Sequence, residues 1–118
     1  MLINLIYVGL GGAVGAVMRY IISLLPLKSS FPLLTLVTNL LGAILIGIVV
    51  GAADRYLSDR AVLFWKTGVC GGFTTFSTFS LEALLLFEQG RTVMGLAYVL
   101  LSVVLCIVGV AVGRMIIS

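Results

Sequence analysis

The sequence contains no histidine and few charged side chains, with seven Lys and Arg and four Asp and Glu among 118 residues. Histidine is the commonest general base and metal ligand, so its absence removes the usual centre of acid–base and metal chemistry. The only cysteines, Cys70 and Cys106, lie inside apolar segments and have the spacing of neither a zinc site nor a disulfide framework. We interpret both as small buried hydrophobic residues, and we expect no enzyme activity. The net charge of +3 is too small and scattered to indicate nucleic-acid binding.

Apolar residues dominate what is present. The chain is 62% hydrophobic and 9% charged, against about 45–50% and about 25% in soluble domains. A chain of this length cannot hide so much apolar surface from water, which indicates an all-α membrane protein embedded in the lipid bilayer. The first apolar run, residues 2–18, is read as a span rather than a signal peptide. No basic side chain precedes it, and no convincing cleavage site follows it.

A transmembrane helix needs about 20 mostly apolar residues, and four segments meet this requirement. They form a single predicted four-helix domain over residues 1–118, with spans at residues 2–25, 33–53, 61–87 and 92–113. The connections are short, so each helix should run antiparallel to the next along the chain, with both termini on one side.

Each predicted span carries a Gly-x-x-x-Gly pair. Such small residues let helix backbones approach closely in lipid, where no hydrophobic force drives association. The pairs can pack the four helices of one chain or join two chains, and the sequence leaves both interpretations open. The pairs are Gly11/Gly15, Gly47/Gly51, Gly68/Gly72 and Gly109/Gly113.

Positive charge is divided between the two predicted membrane faces with only a weak bias, four side chains against two or three. Lys and Arg normally collect on the cytoplasmic face and so fix the orientation of a chain. A weak bias therefore predicts insertion in both orientations and an antiparallel pair of identical chains, similar to inverted-repeat transporters. One face has Arg55, Arg60, Lys66 and Arg114, and the other has Lys28 and Arg91, with Arg19 if it reaches that way.

Polar residues inside the predicted spans are few. Asn39 must hydrogen-bond to something at this depth, as an ion ligand or as a link between helices. Tyr98, Ser102 and Cys106 recur every four residues, which predicts a stripe about 12 Å long on one helix face. Such a stripe can line a pore or only pack against a neighbouring helix. Arg19 taken alone is expected to extend toward the membrane interface.

The third span contains the stretch GGFTTFSTFS, with five Ser and Thr and three Phe within eight residues, 73–80. Gly71 and Gly72 permit a break in the helix, and hydroxyls can satisfy the backbone groups that a break frees. We therefore predict a discontinuous third helix near the bilayer centre. Freed carbonyls there suit a cation, whereas N–H groups, hydroxyls and the positive edges of phenyl rings suit a small anion. The alternative for the Phe residues is core packing.

Three motifs, GGAVGAVMRY, TLVTNLLG and GGFTTFSTFSLE, resemble those of the Fluc-type fluoride channels, also called the CrcB family. The resemblance covers nearly the whole chain. It implies a dual-topology homodimer of antiparallel subunits in the plasma membrane of a bacterium or archaeon. Two pores would follow the subunit interface, with one sodium ion at its centre.

The resemblance also assigns roles to individual residues. The carbonyls of Gly71 and Thr74 from both subunits would hold sodium, Arg19 would stabilise the fold or attract anions, and Glu82 would lie toward a pore mouth. Cys106 departs from the family pattern, in which this position is often a hydroxyl residue, and a thiol is a weaker donor. The residues implied in the fluoride pore are Asn39, Phe76, Phe79, Thr78, Tyr98 and Ser102.

The function expected from this resemblance is passive, selective export of cytoplasmic fluoride, which gives fluoride resistance. The alternative is a small dual-topology, proton-coupled multidrug exporter, which needs a titratable carboxylate deep in its binding site. Glu82 lies toward the end of the third span, which disfavours the exporter. A non-transporting helper subunit is the third candidate, and it would tolerate replacement of Asn39 and the Phe residues.

Overall fold

The computed structural model describes residues 1–27 and 29–117, and these residues form helices joined by short connections. A π-helical segment continues directly from one short helix into the next, so the third span is assembled from several pieces. The elements are α1 Leu2–Ser23, α2 Leu33–Tyr56, α3 Asp59–Val62, the π-helical segment Leu63–Cys70, α4 Gly71–Phe73, α5 Phe76–Glu88 and α6 Thr92–Ile117.

Within these described residues, four helical stretches are long and apolar enough to cross a membrane: Leu2–Ser23, Leu33–Tyr56, Asp59–Glu88 and Thr92–Ile117. The prediction of a multi-pass protein with four apolar helices is confirmed, and Asp59–Glu88 is called the third span below. The helices α2 and α6 continue past the predicted ends at residues 53 and 113. Their last turns carry Arg55 and Arg114, which suit a membrane interface because long basic side chains can reach water from there. Lys28, counted in the charge comparison, lies outside the described residues.

The helix ends follow from local sequence. Pro26 stands just after the end of α1, and Pro32 stands immediately before α2, in agreement with the poor fit of proline inside a helix. The third span begins with Ser58, whose Oγ accepts the Ala61 N–H at 3.2 Å as an N-cap.

A tight turn ends α5. Gly90 has φ of 76°, a left-handed conformation that glycine adopts without steric cost. Its N–H donates to the Phe87 carbonyl at 3.1 Å, and the Arg91 N–H donates to the Leu86 carbonyl at 2.9 Å. This is the Schellman arrangement, and it allows α6 to begin only four residues after α5 ends.

The first and third spans pack through glycine. A Cβ added to Gly11 would lie 2.3 Å from the Phe64 carbonyl oxygen and 2.9 Å from the Gly68 Cα. One turn later, a Cβ on Gly15 would lie 2.2 Å from the Val69 carbonyl oxygen. Residue numbers rise together along the two helices, so they run parallel, as alternating span directions require.

The second and fourth spans pack in the same manner. A Cβ on Gly47 would lie 2.2 Å from the Val110 carbonyl oxygen, and one on Gly113 would lie 2.2 Å from the Ile44 carbonyl oxygen. These helices are also parallel, because Gly51 lies farther along α2 and meets Ile117 farther along α6. The glycine pairs therefore pack helices within one chain, which is one of the two interpretations left open by the sequence.

Tyr98 is the centre of the buried core on the α5–α6 side. Its side chain is fully buried, and Leu36, Ala83 and Leu86 pack in the same cluster. The Phe31 ring meets it edge-on at 5.5 Å between centroids. Much of the remaining apolar surface faces outward, as expected for helices whose solvent is lipid.

We expect Gly15→Ala to destabilise the protein by about 1–3 kcal/mol, since the added methyl forces two helix backbones apart. The matched control is Gly9→Ala on the same helix, where a Cβ meets nothing within 4 Å. Thermal unfolding of both variants in detergent measures the difference. Equal midpoints for the two variants would contradict the close glycine packing of the first and third spans.

Candidate functional site

Helical structure stops after Phe73 and resumes at Phe76, which leaves Thr74 and Thr75 extended within the third span. Asn39 of α2 lies against this interruption. Its Nδ2 donates to the Thr75 carbonyl at 3.1 Å, and its Oδ1 accepts the Thr75 N–H at 2.8 Å. One side-chain amide therefore satisfies both backbone groups of Thr75. The Nδ2 group carries two hydrogens, and only one of them is used in the hydrogen bond to Thr75.

The interruption frees backbone carbonyls because the N–H groups that would satisfy them bind elsewhere. In a continuous helix the Gly71 carbonyl accepts from Thr75 and the Thr74 carbonyl accepts from Thr78. Here the Thr75 N–H donates to Asn39, and the Thr78 N–H donates to the Thr75 Oγ1 at 3.1 Å. Two carbonyls of the GGFT turn are thereby released from helical hydrogen bonding.

Arg19 of α1 also binds this region. Its Nε donates to the Gly72 carbonyl oxygen at 3.2 Å. The guanidinium therefore contacts the third span, whereas the sequence alone predicted that it extends toward the membrane interface. Gly72 itself contacts α1, since a Cβ there would lie 2.3 Å from the Gly12 carbonyl oxygen. The structure thus uses Arg19 to satisfy a carbonyl just before the interruption.

A cavity of about 310 Å³ opens beside the interruption. Among the residues that the structure describes, no charged side chain lines it, and its polar groups are an amide, hydroxyls and a thiol. The residues that matter to its chemistry are Asn39, Thr75, Phe76, Phe79, Ser102 and Cys106.

Aromatic rings form one wall of this cavity. The Phe76 and Phe79 centroids are 5.6 Å apart with their planes tilted by 46°, and Phe79 lies 5.2 Å from the Tyr98 ring. Phe76 is 79% exposed in the single chain. Phe73 is buried instead, so the three-residue spacing of the Phe residues does not place them on one face.

The polar stripe on α6 turns inward. Ser102 is only 7% exposed, and Cys106 beside it is partly exposed. Neither the Tyr98 hydroxyl nor the Ser102 Oγ has a hydrogen-bond partner among the residues that the structure describes. A buried hydroxyl without a hydrogen-bond partner costs about 1–3 kcal/mol of stability, so the arrangement favours a polar ligand beside Ser102.

A second cavity of about 260 Å³ lies on another side of the interruption. Thr75 lines both cavities, whereas Thr78 and Arg19 line the second. Thr35, at the same cavity, donates from its Oγ1 to the Glu82 Oε1 at 2.5 Å. The carboxylate of Glu82 is therefore tied to α2 by a charge-assisted hydrogen bond.

The structure brings together Asn39, Phe76, Phe79 and Ser102 from the set of expected pore residues. Thr78 belongs to the second cavity, and Tyr98 is buried in the core and lines neither of the two. Sequence reasoning missed Thr75, whose Oγ1 both caps α5 and donates to the Thr78 Oγ1 at 3.0 Å. A threonine immediately before a helix is a common N-cap, and that signal was available.

Comparison with known proteins gives consistent matches. The family model described as "CrcB-like protein, Camphor Resistance (CrcB)" matches residues 6–114. The chain is similar to a protein named "Fluoride-specific ion channel FluC" from Ruminiclostridium cellulolyticum, at 46% identity over 97% of this chain and 92% of that protein. Proteins of the same name from Azobacteroides pseudotrichonymphae and Shewanella halifaxensis are 42% and 44% identical. These alignments cover 88% and 94% of this chain, and 87% and 93% of those proteins.

Proposed function

The chain belongs to the CrcB-like family, and we propose that it is a fluoride-selective channel that lets fluoride leave the cell passively. The names of its relatives support this function. The observation that carries the proposal is the cavity beside Thr74 and Thr75, where uncharged donors and phenyl rings meet. An enzyme function finds no support in the sequence.

The uncharged lining explains how a small anion can be held and released. Fluoride is strongly hydrated, so each water lost must be replaced by a donor of similar strength. The free hydrogen of the Asn39 amide, the Ser102 hydroxyl and the edges of Phe76 and Phe79 supply such donors. Because none of the described residues that line this cavity is charged, the ion is bound weakly enough to leave, as conduction requires. Thr78 and Tyr98 complete the set proposed for the fluoride path, Thr78 at the second cavity and Tyr98 buried in the core beside Phe79.

We propose that two chains complete the site as an antiparallel, dual-topology homodimer, with two pores along the interface. Phe76 stands 79% exposed at the open side of the cavity, and a Cβ on Gly71 would meet nothing within 4 Å. A second copy would cover both. The weak bias of positive charge between the two predicted faces supports opposite orientations.

A sodium ion at the centre of this dimer is the proposed structural cofactor. The carbonyls of Gly71 and Thr74 fit it, because both are released from helical bonding and carbonyl oxygens are the ligands that a hard cation prefers. A Cβ on Gly71 would meet nothing within 4 Å, so the backbone here has room for the approach of a second copy. When bound, sodium would neutralise the converging carbonyl dipoles and tie the interrupted helices together near the bilayer centre.

Membrane voltage supplies the driving force for export. Fluoride enters a cell as neutral hydrofluoric acid and ionises in the less acidic cytoplasm. An inside-negative potential then drives the anion out through a passive pathway, with about 2.3 kcal/mol per charge per 100 mV. We place the protein in the plasma membrane of a bacterium on this basis, in agreement with the bacterial sources of its relatives.

Proton-coupled export of organic cations is the competing function. That mechanism needs a carboxylate that binds protons and substrate in turn. Glu82 is held by Thr35 at 2.5 Å and is absent from the lining of the uncharged cavity. Its geometry therefore favours a fixed structural acceptor over a transport carboxylate.

Fluoride efflux from liposomes that hold the purified protein tests the proposal. With no proton gradient and a potassium ionophore to balance charge, we expect rapid fluoride release. Glu82→Gln keeps an oxygen for the Thr35 hydroxyl, and it should reduce the rate by less than about tenfold, or about 1.4 kcal/mol. Efflux that requires a proton gradient, or that disappears in Glu82→Gln, would instead support the exporter.

A further inference from the structure

A thiol and an unpaired hydroxyl lie side by side in the uncharged cavity. Cys106 follows Ser102 by four residues on α6, so their Cβ atoms are about 6 Å apart on one helix face. Both residues line the cavity. Ser102 is buried, with 7% of its surface exposed, and its Oγ makes no hydrogen bond with any described residue. The hydroxyl therefore has a free donor for a group that enters beside the thiol.

Among the polar groups that line the cavity, the thiol is chemically soft, whereas the amide and the hydroxyls are hard. A cysteine sulfur is the preferred ligand of soft metals, and the phenyl rings of Phe76 and Phe79 are polarizable neighbours of the same cavity. None of the described residues that line it is charged, so entry of a bare cation is not compensated. A small neutral complex of a soft metal avoids this cost.

We propose that the cavity is a binding site for thiophilic metals delivered as small neutral complexes, with Cys106 as the covalent ligand. Mercury(II) chloride represents this class. The Cys106 sulfur displaces one chloride and forms a sulfur–mercury bond, while the thiol proton and that chloride leave to water. Nothing is oxidised or reduced. The remaining chloride on mercury accepts a hydrogen bond from the Ser102 hydroxyl.

A metal bound here stands in the path proposed for fluoride. The cavity has a volume of about 310 Å³. A mercury–chloride unit beside Asn39 and Phe79 fills part of this volume and is fixed there by its bond to sulfur. Metal binding therefore blocks conduction, and this second half of the proposal rests on the proposed channel function.

Cys70 provides an internal control. It is only 2% exposed, at the junction of the π-helical segment and α4, and it is not among the lining residues of this cavity. The chain thus offers two cysteines of which one faces the cavity, and a Cys70→Ser variant removes only the buried one.

The test combines a metal count with flux measured relative to each variant's own rate before mercury. For the wild type and Cys70→Ser we expect one mercury per chain and a fall in fluoride efflux of at least tenfold, or about 1.4 kcal/mol in the barrier. Both changes should be reversed by dithiothreitol. Cys106→Ser should bind no mercury and keep its rate.

Three results would overturn the inference. Equal mercury binding by Cys106→Ser would remove Cys106 as the ligand. Loss of binding in Cys70→Ser would move the site to the buried thiol. Binding at Cys106 with unchanged efflux would remove the block. A preparation without any fluoride flux before mercury would count against the channel function itself, and the metal count would still decide whether the site exists.

Discussion

Asn39→Ala is expected to reduce fluoride efflux by about 100-fold. The substitution deletes both hydrogen bonds between α2 and the extended Thr75 and leaves a backbone N–H unpaired, at a cost of about 1–3 kcal/mol. It also removes the amide hydrogen proposed to face fluoride. A rise of about 2.7 kcal/mol in the barrier to conduction corresponds to about two powers of ten in rate. Efflux from liposomes measures it.

The control for this variant is Leu41→Ala on the same helix, a side chain that is 48% exposed. It should conduct as the wild type does. Size-exclusion chromatography and circular dichroism in detergent separate lost conduction from lost folding. If folded Asn39→Ala conducts at the wild-type rate, the amide is only a link between helices, which is the alternative that the sequence left open.

Replacement of both Phe76 and Phe79 by Ile is expected to abolish fluoride efflux while the assembled protein is retained. Isoleucine keeps apolar bulk but has no ring edge to face an anion. Each single variant should impair efflux by about tenfold or more. Phe76→Ile separates conduction from folding most cleanly, because that ring is 79% exposed in the single chain. Phe79→Ile also loses the contact with Tyr98, at about 0.5–1.5 kcal/mol.

Phe87→Ile is the matched control, since its ring packs against Gly95 near the turn and outside the cavity. It should conduct normally even if its stability falls. Wild-type efflux from the double variant would exclude the two rings from the mechanism and leave only hydroxyl and amide donors to bind fluoride.

Composition and hydropathy were enough to predict four apolar helices, because lipid imposes the same apolar requirement on each span. They could not predict the helix ends, since helices continue into the interface where Arg55 and Arg114 lie. The glycine pairs predicted close packing but not the helices that meet. That choice depends on the three-dimensional arrangement, which puts Gly11 on Gly68 and Gly47 on Gly113.

The site was only partly predictable for a related reason. An amide at the depth of Asn39 must find a partner, and the sequence showed that much. Its partner is the Thr75 backbone, whose N–H and carbonyl are not visible in a pattern of side chains. The four-residue period of the α6 stripe placed Tyr98, Ser102 and Cys106 on one face. Packing then buried Tyr98 under Phe31 and Phe79 and left the other two at the cavity.

The reversal potential of a bilayer that contains the purified protein, with fluoride on one side and chloride on the other, tests most directly whether uncharged dipoles select the smallest halide. Each tenfold preference shifts this potential by about 59 mV. We predict a preference for fluoride of at least a hundredfold, and hence a shift of about 118 mV or more. A potential near zero would mean that chloride passes as readily, and it would contradict selection by the Asn39, Ser102 and phenyl donors.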